Sequence, residues 1–236
     1  RLSSYIVTDF KDNNFPEHHI KIKLRGSAGQ SLGAFGAKGI KFEVVGDCND
    51  YVGKGLSGAT ISVRPPKVSE LETNKNTIIG NTVLYGATSG NLFAAGQAGE
   101  RFSVRNSGAT AVVEGAGTNA CEYMTGGCAV ILGEVGDNFA AGMTGGMAFI
   151  YNPDNNLSDV INSGSVVWQR VETEYWSEFL HSLIQKHVEE TSSNYAKKIL
   201  DDWALSKESF YQICPKEMLD KLDNPISSKE PEKKAV

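Results

Sequence analysis

The 236-residue chain is short of cations: 23 Lys and Arg stand against 28 Asp and Glu, a net charge of −5. That balance weighs against nucleic acid or an anionic membrane as the main partner. No run of about 18 apolar residues occurs, so no segment reads as a membrane span. The opening RLSSYIVTDF has no apolar h-region, so no secretory signal is expected. The expected setting is cytoplasmic, with an organelle as the alternative. Cys48, Cys121, Cys128 and Cys214 include no C-x-x-C pair, and the four histidines lack metal-ligand spacing. Cys121 and Cys128 read as small buried hydrophobes. The G-x-S-x-G, H-E-x-x-H and G-x-x-x-x-G-K-S/T motifs are all missing. The acid pairs Glu70/Glu72 and Asp201/Asp202 fall in a loop and on a charged helix face, where solvation accounts for them. Asn156-Leu157-Ser158 is a glycosylation sequon that reads as a plain turn. These absences leave no catalytic residue, cofactor-binding residue or metal ligand to assign.

What the chain has is glycine, 25 in all, mostly between Gly26 and Gly164. One stretch, Gly53-Lys54-Gly55-Leu56-Ser57-Gly58, is a literal G-x-G-x-x-G. A dinucleotide site needs a buried strand before the motif and a helix after it. Here Asp47-Cys48-Asn49-Asp50 reads as a turn, Ala59–Val63 as a strand, and Pro65-Pro66 blocks a helix. A nucleotide-binding enzyme built on this stretch is the weakest of the readings.

The glycines recur. Gly39, Gly58, Gly80, Gly99, Gly127, Gly146 and Gly164 are separated by 19, 22, 19, 28, 19 and 18 residues. Three residues after each anchor stand Phe42, Ile61, Val83, Phe102, Val130, Phe149 and Val167, all apolar. Eight before five of them stand Asp50, Asn91, Asn119, Asn138 and Asn156. A unit of about 19 residues with glycine corners is too short for a propeller blade and suits one coil of a solenoid. The expected fold is all-β: a parallel β-helix of about seven coils. Glycine would supply φ > 0 or close approach at each corner. The Asp/Asn set would form a ladder down the stack. The strands IKFEV, ISV, FSV, AVIL and AFIY offer only Glu43 as an acid, which weighs against a polysaccharide lyase or hydrolase.

The expected organisation is a leader over 1–19, a β-helix over 20–170, helices over 171–222 and a disordered tail over 223–236. Residues 64–77, RPPKVSELETNKNT, break the repeat as a solvated loop, with a partner contact as the alternative. Trp176, Phe179, Leu180, Leu183, Ile184 and Val188 have helical spacing, with Thr173 as N-cap. A second helix follows Ser192-Ser193, and Pro215 opens a third with Met218, Leu219 and Leu222. These helices would cap the open edge of the solenoid.

The blocks IKLRGSAGQSLGAFGAKGI, GDCNDYVGKGLSGATISVRPP, GNTVLYGATSGNLFAAGQAGERFSVRNSGATAVVEG and GDNFAAGMTGGMAFIY resemble the C-terminal glycine-repeat (GXGXG) domain of the glutamate synthase large subunit. The tail LIQKHVEETSSNYAKKILDDW…FYQICPKEML is similar to the end of that subunit, and the likeness runs over residues 18–222. The resemblance implies a right-handed β-helix that packs against catalytic domains and has no catalytic residue of its own. It implies a parent enzyme making two glutamates from glutamine, 2-oxoglutarate and two electrons. Its partners would be an amidotransferase domain with an N-terminal cysteine and a synthase barrel holding FMN and a 3Fe–4S iron–sulfur cluster. Position 1 here is Arg1, and no barrel or cluster motif is present, so no catalytic residue carries over. A stand-alone scaffold that recruits separate enzymatic partners is the alternative; formylmethanofuran dehydrogenase includes a similar glycine-repeat domain.

Overall fold

A computed structural model describes residues 1–10 and 15–227; residues 11–14 and 228–236, which hold most of the expected tail, lie outside the described residues. Helix α1 (Leu2–Asp9) precedes β1 (Ile20–Ala28), β2 (Ile40–Cys48), β3 (Ser57–Arg64), β4 (Thr77–Ile79), β5 (Ser89–Ala94) and β6 (Gln97–Ala98). Strands β7 (Ser107–Val113), β8 (Thr125–Ile131) and β9 (Gly145–Tyr151) follow, then α2 (Leu157–Val160) and β10 (Val166–Arg170). The chain continues through α3 (Glu174–Thr191), α4 (Asn194–Asp201), α5 (Trp203–Ser206) and β11 (Phe210–Pro215).

The stack is a parallel solenoid. β1, β2, β3, β5, β7, β8 and β9 pair in that order, each parallel to the next. Ile61, Leu92, Ala111, Ala129 and Ala148 fall in one row of this register, and all are fully buried inside the coils. Their neighbours Phe93, Val112, Val130 and Phe149 point the other way, because successive strand residues alternate faces. Those four are buried too, under Trp176, Leu180 and Ile184 of α3. Burial on both faces is why these strands read as continuous apolar runs rather than alternating ones.

α3 buries Trp176, Leu180, Ile184, His187 and Thr191, a stripe of helical period. Ser192 ends it in the left-handed region at φ 58, and the Ser193 hydroxyl accepts from the Ala196 N–H to start α4. Thr173 does stand at the N-cap of α3, though its side chain makes no capping bond.

The third helix, the helical cap and the FSV strand need correction. The third helix from Pro215 is a 3-10 turn over Lys216–Lys221, and the residues before it form β11. β11 pairs antiparallel with β9 on one side and β10 on the other. The last coil is therefore closed by a strand, because its edge presents backbone N–H and C=O groups that a helix cannot pair. The leader contains a helix, α1, which buries Ile6, and Phe15 is buried with it. FSV (102–104) is not a strand; it lies in a turn segment described next.

Candidate functional site

Opposite the sheet, each coil crosses a six-residue turn segment: 31–36, 51–56, 82–87, 101–106, 119–124 and 138–143. The first, third and fifth residues of these segments are left-handed, including Ser31, Tyr51, Thr82, Arg101, Asn119 and Asn138 at φ 57–62. Two consecutive i→i+3 bonds run through a segment, as in Ala34 N–H to Ser31 O and Gly36 N–H to Gly33 O. Positive φ at the third residue of each turn is the type II signature. Most of these positions are not glycine, and a left-handed L-residue costs about 1–2 kcal/mol. Bonds between coils hold them there: Tyr51 N–H donates to Asn81 O (2.9 Å), Gly53 N–H to Leu32 O (2.9 Å) and Gly55 N–H to Tyr85 O (2.8 Å).

These bonds account for the G-x-G-x-x-G stretch. The backbone N–H groups of residues 53–57 all donate to carbonyls of the solenoid. Strand β3 follows where a dinucleotide site needs a helix.

The seven anchor glycines occupy more than one column. Gly39, Gly58, Gly127 and Gly146 stand at the corner where the turn segment enters the sheet, with φ 92, 109, 79 and 80. Gly90, at φ 107, is their counterpart in β5. Gly80 and Gly99 stand at a different corner, before the turn segment, stacked with Gly117 and Gly136. There the reason for glycine is close approach: a Cβ on any of them would collide with the coil below. Gly164 lies on the return to β10, with open space around its Cα apart from Asn162.

The Asp/Asn set forms no continuous ladder. Asn119 and Asn138 are stacked left-handed residues, a conformation asparagine tolerates. Asn138 Oδ1 accepts from Asn162 Nδ2 at 2.8 Å. Asn91 sits in β5 between Thr60 and Thr110, and Asn156 exchanges hydrogen bonds with Asn152 before α2. Asp50 starts a different device. Its Oδ1 accepts from the Asn81 N–H, and Asn81 Oδ1 accepts from the Glu100 N–H, each at 2.8 Å. That staircase links three coils through Asn81, which the spacing does not single out.

A buried cluster fastens the helices to the solenoid. Glu114, just past β7, is fully buried; its Oε1 lies 3.1 Å from His187 Nε2 on α3 and accepts from the Ser193 hydroxyl. Nearby, Lys41 of β2 pairs with Glu190 of α3 at 2.6 Å, both about an eighth exposed. Sequence spacing cannot join residues 73 positions apart. All three side chains of the trio are buried, and Ser193 also caps α4, so its role here is mechanical.

The cysteine thiols are unreactive. Burial raises the Cys128 thiol to about 12 and the Cys214 thiol to about 11; burial and then the Asp47 charge raise Cys48 to about 12. Burial pushes Cys121 higher still. All four are unbridged, and none is a thiolate at neutral pH. Among the described residues no group of three His, Cys, Asp or Glu side chains is placed to hold a metal ion, and no helix is long and apolar enough to cross a membrane. A groove of about 480 Å³ lies between the 64–75 loop and the α3–α4 junction, with Lys67, Lys75, Lys198 and Glu72 on its walls.

Comparison of the sequence with known proteins finds relatives over nearly its whole length. The chain is 64% identical over 226 residues to the glutamate synthase [NADPH] large chain of Azospirillum brasilense, covering 96% of the chain and 15% of that protein. It is 50% identical to the ferredoxin-dependent glutamate synthase of Pyropia yezoensis over 91% of its length, and 46% identical to the glutamate synthase [NADH] of Schizosaccharomyces pombe over 99%. It spans only 11–15% of the length of these relatives. The GXGXG motif model matches residues 1–216, and the chain belongs to the GXGXG motif family.

Proposed function

We propose that this chain is the structural domain of a glutamate synthase, holding the catalytic domains in place without contributing a catalytic residue. The observation that carries the reading is the pattern of matches. Proteins named for NADPH, NADH and ferredoxin all match nearly the whole chain at 46–64% identity, while the chain spans a small share of each. A segment common to three electron donors serves something other than the choice of donor. The side chains fit that reading: the glycines, the Asp50–Asn81 staircase and the Glu114 cluster are all spent on the solenoid. The domains held would be the amidotransferase and the synthase barrel. FMN and the iron–sulfur cluster would belong to the barrel.

The test is the size of the native polypeptide, read with an antibody against this chain in extract of its source. A band far above 25.4 kDa is expected. A band at 25.4 kDa would overturn the reading in favour of a stand-alone scaffold that recruits separate enzymatic partners. Thermal shift with NADPH and FMN tests the nucleotide reading in parallel. No shift is expected; a clear shift that Gly55→Ala abolishes would restore that reading for Gly53–Gly58.

A further inference from the structure

The surface of the solenoid is unevenly covered. α3 and α4 lie over the outer face of the sheet, and β11 closes the last coil. Among the described residues, nothing covers the turn segments in this way. Along them Phe35, Tyr51, Tyr85 and Tyr123 are 63%, 37%, 38% and 51% exposed. Their backbones are tied coil to coil, as in Phe35 N–H to Lys54 O (2.8 Å) and Tyr123 N–H to Ala141 O (2.9 Å). The rings are not idle flaps. Phe35 lies over the α-carbon of Gly55 and Tyr123 over that of Gly142, one coil further on, where any Cβ would strike the ring.

Cations are interleaved with the rings. Lys54 Nζ stands 5.6 Å from the Tyr51 ring centre, and the Arg105 guanidinium 5.8 Å from that of Tyr123. Arg101 adds a third, beside Glu122. Tyrosine and arginine held in fixed geometry are the composition of interface hot spots. The patch extends onto α1, whose Ser3 Oγ accepts from the Ala37 N–H. There Tyr5 and Val7 are each 65% exposed. Among the described residues, eight of the thirteen exposed large apolar side chains lie on this face or within residues 2–10, so the apolar surface is concentrated and not scattered.

We infer that this turn face, from Phe35 to Tyr123 and continuing onto α1, is the surface that docks the remainder of the large chain. The inference rests on the scaffold reading and says which side the scaffold uses. The occupant is a surface of the same polypeptide, because in the relatives 85% or more of the length lies outside the segment matched here. Lys54 and Arg105 call for carboxylates on that surface, set around apolar pockets that take the rings.

Hydroxyl-radical footprinting of the full-length polypeptide reads this directly, and it needs no variant that could misfold. Tyr175 on α3, 48% exposed and away from the turn face, is the internal reference. Phe35, Tyr51, Tyr85 and Tyr123 should be oxidised several-fold more slowly than Tyr175, and dilution should not change the ratio. If the four rings react as Tyr175 does while another part of the segment is protected, this inference falls and the scaffold reading stands. If no part is protected, both fall. Protection that disappears on dilution would assign the face to a second copy and overturn the intramolecular occupant.

Discussion

Gly146 and Gly86 both hold positive φ, at 80° and 64°, but their surroundings differ. A Cβ on Gly86 would meet nothing within 4 Å. A Cβ on Gly146 would lie 2.7 Å from the Gly127 carbonyl oxygen and 2.8 Å from the Gly126 carbonyl carbon. Both atoms are backbone of the coil below, so no rotamer relieves the overlap. Gly86→Ala carries only the left-handed strain of about 1–2 kcal/mol, partly offset by about 0.4–1 kcal/mol from the stiffer unfolded chain. Its net cost is about 1 kcal/mol. Gly146→Ala carries the same cost and must also prise β9 from β8, which stretches the ladder between them. Overpacking of this kind adds about 1–3 kcal/mol, for a total of about 3 kcal/mol.

Thermal unfolding of the purified chain separates the two. For a chain of this size each kcal/mol moves Tm by about 2–4 °C, so Gly146→Ala should lower it by about 10 °C and Gly86→Ala by about 3 °C. Gly29→Ala is the control, since Gly29 has neither positive φ nor a neighbour within 4 Å; its Tm should hold or rise slightly. Equal losses for Gly146→Ala and Gly86→Ala would refute the idea that close coil stacking selects glycine at this corner. A comparable loss for Gly29→Ala would show that glycine loss is harmful anywhere in the chain.

Three further outcomes are expected. Glu114→Ala removes the acceptor shared by His187 and Ser193 and should cost about 3 kcal/mol in urea unfolding, whereas Glu114→Gln keeps one oxygen and should cost less than half of that. Asn81→Ala should cost about 1 kcal/mol by orphaning the Glu100 N–H, and Asn91→Ala should cost less, a comparison that checks the staircase against the ladder. The buried thiols should make the chain alkali-sensitive. Folded Cys128 stays protonated to about 12 while an unfolded thiol ionises near 9.0, so the unfolded state binds fewer protons above pH 9 and stability falls as pH rises. At pH 10 each such thiol withdraws about 1.4 kcal/mol, and a Cys121→Ala/Cys128→Ala variant should lose less Tm between pH 8 and pH 10 than the parent.

The coil was legible because its period survives in the residues that stack. The steps of 19 from Gly39 to Gly58 and from Gly127 to Gly146 connect true structural equivalents. The irregular steps, 22, 28 and 18, are where the phase changes column. Gly58 is matched by Gly90, not Gly80, because the 64–77 loop is a longer insertion than a single column suggests. Both corners demand glycine, one for close approach alone and one for close approach together with positive φ, so composition alone cannot tell them apart. The turn segments read as strands such as FSV because Val83 and Phe102 are buried there just as strand residues would be. Tyr51, Arg101 and Tyr123 at positive φ go against local preference and follow from hydrogen bonds to coils 17–30 residues away. The sequence FYQICP of β11 shows no strand alternation, and its role as a lid on β9 is a tertiary fact.

These departures share a cause that bears on function. The left-handed residues of the turn face are strained individually and are stable only because every coil is held by the next. Stiffness is therefore a property of the stack. Seven strands at about 4.8 Å spacing make a rod about 30 Å long, anchored at one end by β11 and along one side by α3. On the scaffold reading proposed above, a flexible tether would let docked domains wander. A rod that fixes Phe35, Tyr51, Tyr85 and Tyr123 along one edge sets distances between whatever sits on them. Such a device is indifferent to the source of electrons, which is what relatives named for NADPH, NADH and ferredoxin would require of a part they share.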